Sequence, residues 1–460
     1  MNLFVLSILY VFAFSVYFFV GTRRVIKRNK IELLDCITLM YSLVYGLIPA
    51  ITYYFESKGE RNLLFYDYSS RGIGYLYLIF FFSVATFFAM QLIGWGIRRT
   101  RVIDSSDIDS QIVYQVDLLK CGVIALIIGF VCLYLWTRAY GSLQNFIINA
   151  PRIRSGAGTI YNQFAFMKQF VKILLIALYA FVSALLRDSP KGLKRIGYWV
   201  LILVSGFGAY LYLLASDSRS SIVFSGVAVV LISVVHKDGK ISRRLVRIGI
   251  ILGVILVMAM LGETFADYIR YGVWIGSSED WIHRFINEFS YIVSSQGRSI
   301  SCWMEQGIKY KAFDDWLNAG TSWIPERFLP FSLPATVWTY NTQLINSGLK
   351  YGTVPADPMA TGIYKFGLCG AIIQPVFLSF IVAKFDNMLD KMRNRGDYDV
   401  YFGALAVTFI QCFRAYQMSS FMEMIFPIFL FFLIEKSANT VRRKHFKLVV
   451  NDKWRQLKKE

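Results

Sequence analysis

The sequence predicts an all-α, polytopic integral membrane protein with about eleven transmembrane helices. Apolar and aromatic residues make up 56% of the 460 residues, and only 17% are charged. Soluble proteins carry about 25% charged residues. Apolar stretches long enough to cross a bilayer recur along the chain, and the mean hydropathy is +0.47. These observations exclude a soluble globular protein, a disordered chain and a small disulfide-stabilised domain.

The first apolar stretch, residues 2–21, is followed by basic residues rather than preceded by them. A cleavable signal peptide has the opposite order and a shorter apolar core, so we expect a retained helix with its N-terminus outside. Ten further apolar stretches follow, of which the last two form either two separate spans or one bent pair. The ten further stretches are residues 31–55, 72–97, 117–136, 161–186, 196–215, 220–236, 245–262, 360–383, 399–413 and 421–435.

The distribution of lysine and arginine orients these spans. About two-thirds of the Lys and Arg residues outside the spans fall in the loops and the tail that this topology places inside. The net charge of +19 is therefore explained by orientation and by attraction to anionic lipid, not by nucleic-acid binding. The predicted layout is spans one to eight in residues 1–262, a large outer loop in 263–359, spans nine to eleven in 360–435 and a basic cytoplasmic tail in 436–460.

The large outer loop is rich in tryptophan, which is typical of an aromatic belt at the bilayer surface and also of a sugar-stacking cleft. Within it, the apolar spacing predicts an amphipathic helix over residues 282–305, although Gly297 could interrupt it. Its polar side is predicted to be either a solvated face with ion pairs or part of a binding site. That side carries Arg284, Glu288, Tyr291, Ser295, Arg298 and Glu305.

Arginines are the candidate binding residues on the predicted outer side. The guanidinium group presents parallel N–H donors that match the oxygens of a phosphate or pyrophosphate. The alternative for each arginine is a contact with lipid headgroups. The candidates are Arg152, Arg154, Arg219, Arg270, Arg284, Arg298 and Arg414.

Few side chains on the outer side are suitable as a general base, which must accept a proton near its target. The candidates are Asp357, Glu288 and His283. The six cysteines form no disulfide framework, and no Cys/His cluster has the spacing of a metal site. Nucleotide-binding and metalloprotease motifs are missing from the sequence as well. We expect no metal and no cofactor.

Three stretches resemble the Wzy-type polysaccharide repeat-unit polymerases, which include the O-antigen polymerases. LLASDSRSSIVFSGVAVVLI is similar to the family's Ser-Arg hairpin entering a span, and RFINEFSYIVSSQGRSI opens a large outer loop as in the family. YGTVPADPMATGIYKFGLCGAII resembles its proline-bearing entry into an aromatic–Gly–x–x–Gly helix.

The resemblance implies a GT-C-like, metal-independent membrane glycosyltransferase in the bacterial inner membrane. Such an enzyme joins undecaprenyl-pyrophosphate-linked repeat units at the periplasmic face, with one lipid-linked glycan as donor and another as acceptor. Membrane lipid and a polysaccharide chain-length regulator are the implied partners. Arg219 is the most transferable residue, followed by Arg298.

Two alternatives stay open at this point. A flippase or other transporter for the same lipid-linked unit would show internal repeats, and the sequence has none. The related O-antigen ligases typically carry a histidine near the entry to the late span, where this chain reads ADPMATG. We therefore expect a polymerase rather than a ligase.

Overall fold

The protein is a helical membrane protein. The computed structural model describes residues 2–28, 30–60, 70–101, 116–154, 164–216, 219–236, 281–308, 310–321, 324, 328–345, 354–393 and 395–457. Within these ranges the ordered elements are helices joined by turns and connecting segments. The predicted eighth span, residues 245–262, and Arg270 lie outside the described residues.

The helices of the first half of the chain form most of the bundle. A turn of π-helix, Leu43–Leu47, joins α2 to α3 so that both belong to one span. The short α7 is followed directly by α8, and both belong to one span. The elements are α1 Leu3–Arg28, α2 Leu33–Ser42, α3 Ile48–Ser57, α4 Ser70–Arg101, α5 Leu118–Thr137, α6 Leu143–Arg154, α7 Lys168–Val171, α8 Ile173–Asp188, α9 Leu193–Ser216 and α10 Arg219–Val235.

The second half adds the large loop and the last bundle helices. The predicted helix over residues 282–305 is confirmed as α11 and runs through Gly297 without a break. The elements are α11 Trp281–Gln306, α12 Ala312–Thr321, α13 Val337–Ile345, α14 Pro358–Phe366, α15 Gly370–Met392, α16 Tyr398–Arg414 and α17 Met418–Leu457.

Seven helical stretches in the described part of the chain are long and apolar enough to cross a membrane. Each overlaps one of the predicted spans, and α10 is a shorter apolar helix within another. The total of eleven spans and the GT-C-like arrangement stay predictions. The seven stretches are Leu3–Arg28, Leu33–Ser57, Arg71–Gly94, Leu118–Tyr140, Lys168–Asp188, Leu193–Ala215 and Gly370–Met392.

Polar contacts tie the helices together at one end of the bundle. The Asp386 carboxylate on α15 accepts hydrogen bonds from the backbone N–H groups of Leu33 (2.7 Å) and Leu34 (3.0 Å). These N–H groups open α2 and have no partner within the helix, so α15 caps α2. At the same end, His236 Nδ1 lies 2.5 Å from Asp399 Oδ2, which joins α10 to α16. We call this the capped end of the bundle.

The other end, where Ser57, Arg219 and Arg414 lie, is recessed; we call it the Arg414 end. Helix α16 has 17 residues, against 24 in α9. Seventeen residues span about 25 Å, less than the ~30 Å hydrocarbon core. Tyr45, midway along the Leu33–Ser57 span, has its hydroxyl 3.2 Å from the carbonyl oxygen of Phe413, the residue before the end of α16. The α16 terminus thus lies well below the tip of α3.

The segment predicted as the ninth span, residues 360–383, is divided in the structure. Gly367, with φ of +69°, ends α14, and the chain reverses into α15. The two helices pack so closely that a Cβ built on Gly362 would lie 1.9 Å from the Gly370 carbonyl oxygen. The Phe-Gly-x-x-Gly motif, expected within a helix, therefore forms the turn between two helices. Hydropathy missed the turn because both helices are apolar.

Candidate functional site

Arg414 lies at the recessed end of α16 and is almost fully buried. Its guanidinium carbon is 5.7 Å from the ring centre of Phe224 on α10 and 5.9 Å from that of Tyr291 on α11. The Tyr291 hydroxyl also donates a hydrogen bond to the Arg414 carbonyl oxygen at 3.4 Å. A cation over aromatic faces is stabilised by the ring quadrupole. Arg414 is thus held where α10, α11 and α16 meet.

A small cavity lies beside this position, between α8, α10, α16 and α17. Its volume is about 40 Å³, enough for a few water molecules. Gln411 and Thr408 of α16 line it, and Gln411 precedes Arg414 by one helical turn. Apolar side chains of α8, α9 and α17 form most of the remaining wall.

Lys172, at the start of α8, lines the same cavity. The residue is 7% exposed, and its ammonium group pairs with Glu423 on α17 at 3.3 Å. The ammonium nitrogen also lies 5.7 Å from the Tyr212 ring centre. A buried lysine within an apolar helix is costly unless it is paired or functional. Lys172 and Arg414 are thus buried cations in the described part of the Arg414 end.

Asp357 is the N-cap of α14 and is completely buried. Its carboxylate accepts hydrogen bonds from the Tyr45 hydroxyl at 2.7 Å and the Gln296 amide at 2.9 Å. The backbone N–H groups of Met359 and Ala360 supply two more, at 3.1 and 3.3 Å. Burial raises the pKa of the carboxyl, and these four hydrogen bonds oppose that rise.

This arrangement favours a positioning role for Asp357 over the predicted role as a general base. Its oxygens are occupied by donors from three parts of the chain, and no part of the residue is exposed. Capping in this way fixes α14 against α11 and the α2–α3 turn. A base must instead reach the proton of a bound substrate.

A second polar junction surrounds Asn341 on α13. Its amide nitrogen contacts the Ser295 hydroxyl at 2.9 Å and the Val354 carbonyl oxygen at 3.0 Å, and its amide oxygen accepts from the Tyr364 hydroxyl at 2.7 Å. Side chains of α11 and α14 thus meet on one residue of α13. The predicted polar side of α11 is covered by protein at Ser295 and is not a solvated face there.

Arg298 belongs to this junction rather than to the region around Arg414. Its Nε donates to the carbonyl oxygen of Leu344, the residue before the last of α13, at 3.0 Å. It follows Tyr291 by two helical turns along α11. The geometry favours a structural role for this arginine, although it ranked second in the sequence resemblance.

The structure describes only the backbone for most of the remaining candidates. Arg219 is the first residue of α10, five residues before Phe224. Glu288 lies one turn, and Arg284 two turns, before Tyr291 on α11, which also carries His283 near its start. Arg152 and Arg154 are in the last turn of α6. The structure thus brings α10, α11 and α16, which carry Arg219, Arg284, Glu288 and Arg414, to one end of the bundle.

Sequence reasoning missed Lys172 and Lys365. Each stands inside a predicted apolar span, and an ionisable residue in such a span is itself a signal of function or of buried pairing. Lys365 pairs with Asp315 at 2.5 Å, and both side chains are almost completely buried. Tyr45 and Gln296 gave no such signal, because their partner Asp357 is more than sixty residues distant from either.

Comparisons of this chain with protein-family models, with curated proteins and with solved structures gave no match.

Proposed function

We propose that the protein polymerises undecaprenyl-pyrophosphate-linked oligosaccharide units into O-antigen or a related surface polysaccharide. In this proposal the Arg414 end faces the periplasm, and the protein lies in the bacterial inner membrane. The observation that carries the proposal is the buried Arg414 at a recessed helix end, between aromatic side chains of α10 and α11.

The recess, which is the space beyond the α16 terminus at Arg414, suits a substrate whose charged group is attached to a lipid. A pyrophosphate on a polyprenyl chain stays near the bilayer surface, so its protein partners must lie at that depth. Arg414 supplies positive charge below the tip of α3, and Lys172 lines the nearby cavity. Arg219 is the first residue of α10, and the N-terminus of a helix favours an anion.

The reaction proposed is transfer of the growing glycan to a second lipid-linked unit. The acceptor hydroxyl oxygen bonds to the anomeric carbon of the donor while the bond from that carbon to the pyrophosphate oxygen breaks. Arg219, Arg284 and Arg414 offset the charge that develops on undecaprenyl pyrophosphate. A base takes the proton of the hydroxyl; Glu288 is the preferred candidate and His283 the alternative, since Asp357 is engaged in capping.

The experiment compares Arg219→Ala and Arg414→Ala with the wild type in the strain that carries the gene. The matched control is Arg393→Ala, an exposed arginine at the capped end. With equal protein levels, both site variants are expected to carry single repeat units on the cell surface, and the control long chains. Long, normally distributed polysaccharide in both site variants would contradict the proposal. A repeat unit retained inside the cell would favour a flippase.

A further inference from the structure

Helix α12 is amphipathic in the reverse sense to a helix on the surface of a soluble protein. Its polar residues Asp315 and Asn318 are buried against the rest of the chain. Its large apolar residues Phe313, Trp316 and Leu317 point outward, with Phe313 84% and Trp316 52% exposed. In water this arrangement would leave a contiguous apolar face without a partner, which soluble proteins avoid.

The buried side of α12 is fastened by specific polar contacts. The Asp315 carboxylate pairs with Lys365 on α14 and accepts the backbone N–H of Met418, the first residue of α17, at 3.4 Å. The Asn318 amide donates to the Pro334 carbonyl oxygen at 3.1 Å. These contacts fix which side of α12 faces outward, so the exposed apolar face is not a result of free rotation.

The same contacts set the depth of α12. Lys365 is in the last turn of α14, and α14 folds back along the first turns of α15, with Gly362 against Gly370. Gly370 begins a stretch long and apolar enough to span the membrane. Helix α12 therefore lies level with the first turn of a helix that is long and apolar enough to cross a membrane.

The exposed apolar surface continues from this level onto the lipid-facing side of α15. Phe366, next to Lys365, is exposed, and so are Ile373, Phe377 and Phe380 along α15. A helix with an outward apolar face beside such a surface is typical of an interfacial helix.

We propose that α12 is a lipid anchor, in which Phe313, Trp316 and Leu317 enter the acyl-chain boundary of the leaflet at the Arg414 end. Through the Lys365–Asp315 pair, the bilayer then holds α14 and the α16–α17 turn in place over the recess. This inference does not depend on the chemistry proposed for the recess.

The test measures quenching of Trp316 fluorescence in the full-length protein in nanodiscs. Emission from the wild type minus emission from Trp316→Phe isolates Trp316. Each sample is prepared with ordinary phosphatidylcholine, with phosphatidylcholine brominated in the acyl chain, and with iodide added to the aqueous phase. Trp199→Phe and Trp136→Phe are the matched controls, because Trp199 is exposed on the membrane helix α9 and Trp136 is buried.

The inference predicts that brominated lipid quenches Trp316 at least as strongly as Trp199, and that iodide quenches it weakly. Strong quenching by iodide with none by brominated lipid would overturn the proposal in favour of a water-facing helix. Protection from both quenchers, as for Trp136, would also overturn it, because a protein partner or a second copy would then cover the face.

Discussion

Arg414 is the single residue on which most of the proposed chemistry depends. It is buried, it lies over two rings, and it stands at the recessed end of a 17-residue helix. A lysine could supply the charge there but not the planar fork of donors.

We predict that Arg414→Lys lowers polymer formation by at least about tenfold, because one point charge replaces two parallel donors to the pyrophosphate. The measurement is the length distribution of surface polysaccharide at matched protein levels. Unchanged chain length in Arg414→Lys would show that Arg414 contributes only general positive charge.

Asp357 is expected to respond to substitution as a positioning residue. Asp357→Ala removes an N-cap and leaves buried donors unpaired, at a cost of about 1–3 kcal/mol. Asp357→Asn keeps an oxygen acceptor and the shape, so it should retain most polymerisation, whereas loss of a catalytic base would abolish it. Polymer length and thermal unfolding of both purified variants decide between the roles. A stable but inactive Asp357→Asn protein would restore Asp357 as the base.

At the scale of the elements, the α14–α15 pair shows where sequence prediction succeeds and fails. Hydropathy located an apolar segment at residues 360–383, but it did not reveal the reversal at Gly367. The amphipathic spacing did predict α11 to within one residue at each end, because a period of 3.6 residues is a property of the local sequence.

Close packing of α14 on α15 depends on two glycines. We predict that Gly362→Ala lowers the unfolding temperature clearly, because the new Cβ would overlap the Gly370 carbonyl group and force the helices apart, at a cost of about 1–3 kcal/mol. Gly96→Ala in α4 is the control, since its Cβ meets no atom within 4 Å. Equal unfolding temperatures for Gly362→Ala and the control would contradict the described packing.

The Lys365–Asp315 pair joins α14 to α12 in a buried environment. We predict that Lys365→Met alone destabilises the protein by about 3–5 kcal/mol, because Asp315 would keep an uncompensated charge. Adding Asp315→Asn should recover part of that loss, since the amide is neutral and can still accept from Met418. Thermal unfolding of the two single variants and the double variant measures the coupling. Strictly additive effects would show that the two side chains do not interact.

The contacts that define the Arg414 end could not be predicted from the sequence. Tyr45, Gln296 and Asp357 meet although they come from three distant segments. No local periodicity or motif in the sequence indicates contacts between such distant segments. The arginines, by contrast, could be recognised as candidates because the charge distribution places them on the predicted outer side. The candidate residues could thus be predicted from the sequence, but the contacts that bring them together could not.

For the whole molecule, the orientation in the membrane is the first property to test. The charge distribution predicts that the loop over residues 56–71, which follows α3, is periplasmic and that the loop over residues 98–116 is cytoplasmic. Alkaline phosphatase fused after residue 60 should therefore be active and after residue 110 inactive, because the enzyme requires an oxidising compartment. The reverse pattern would place Arg414 on the cytoplasmic side and rule out periplasmic polymerisation.

The most direct test of the central claim uses the purified full-length protein in nanodiscs with an undecaprenyl-pyrophosphate-linked repeat unit from the same strain. We predict lipid-linked products of two or more units, with one undecaprenyl pyrophosphate released for each new linkage and no loss of activity in chelator. The Arg414→Ala protein should form none of these products, and Arg393→Ala should form them normally. A folded wild-type protein that binds the lipid-linked unit but joins no units together would contradict the claim.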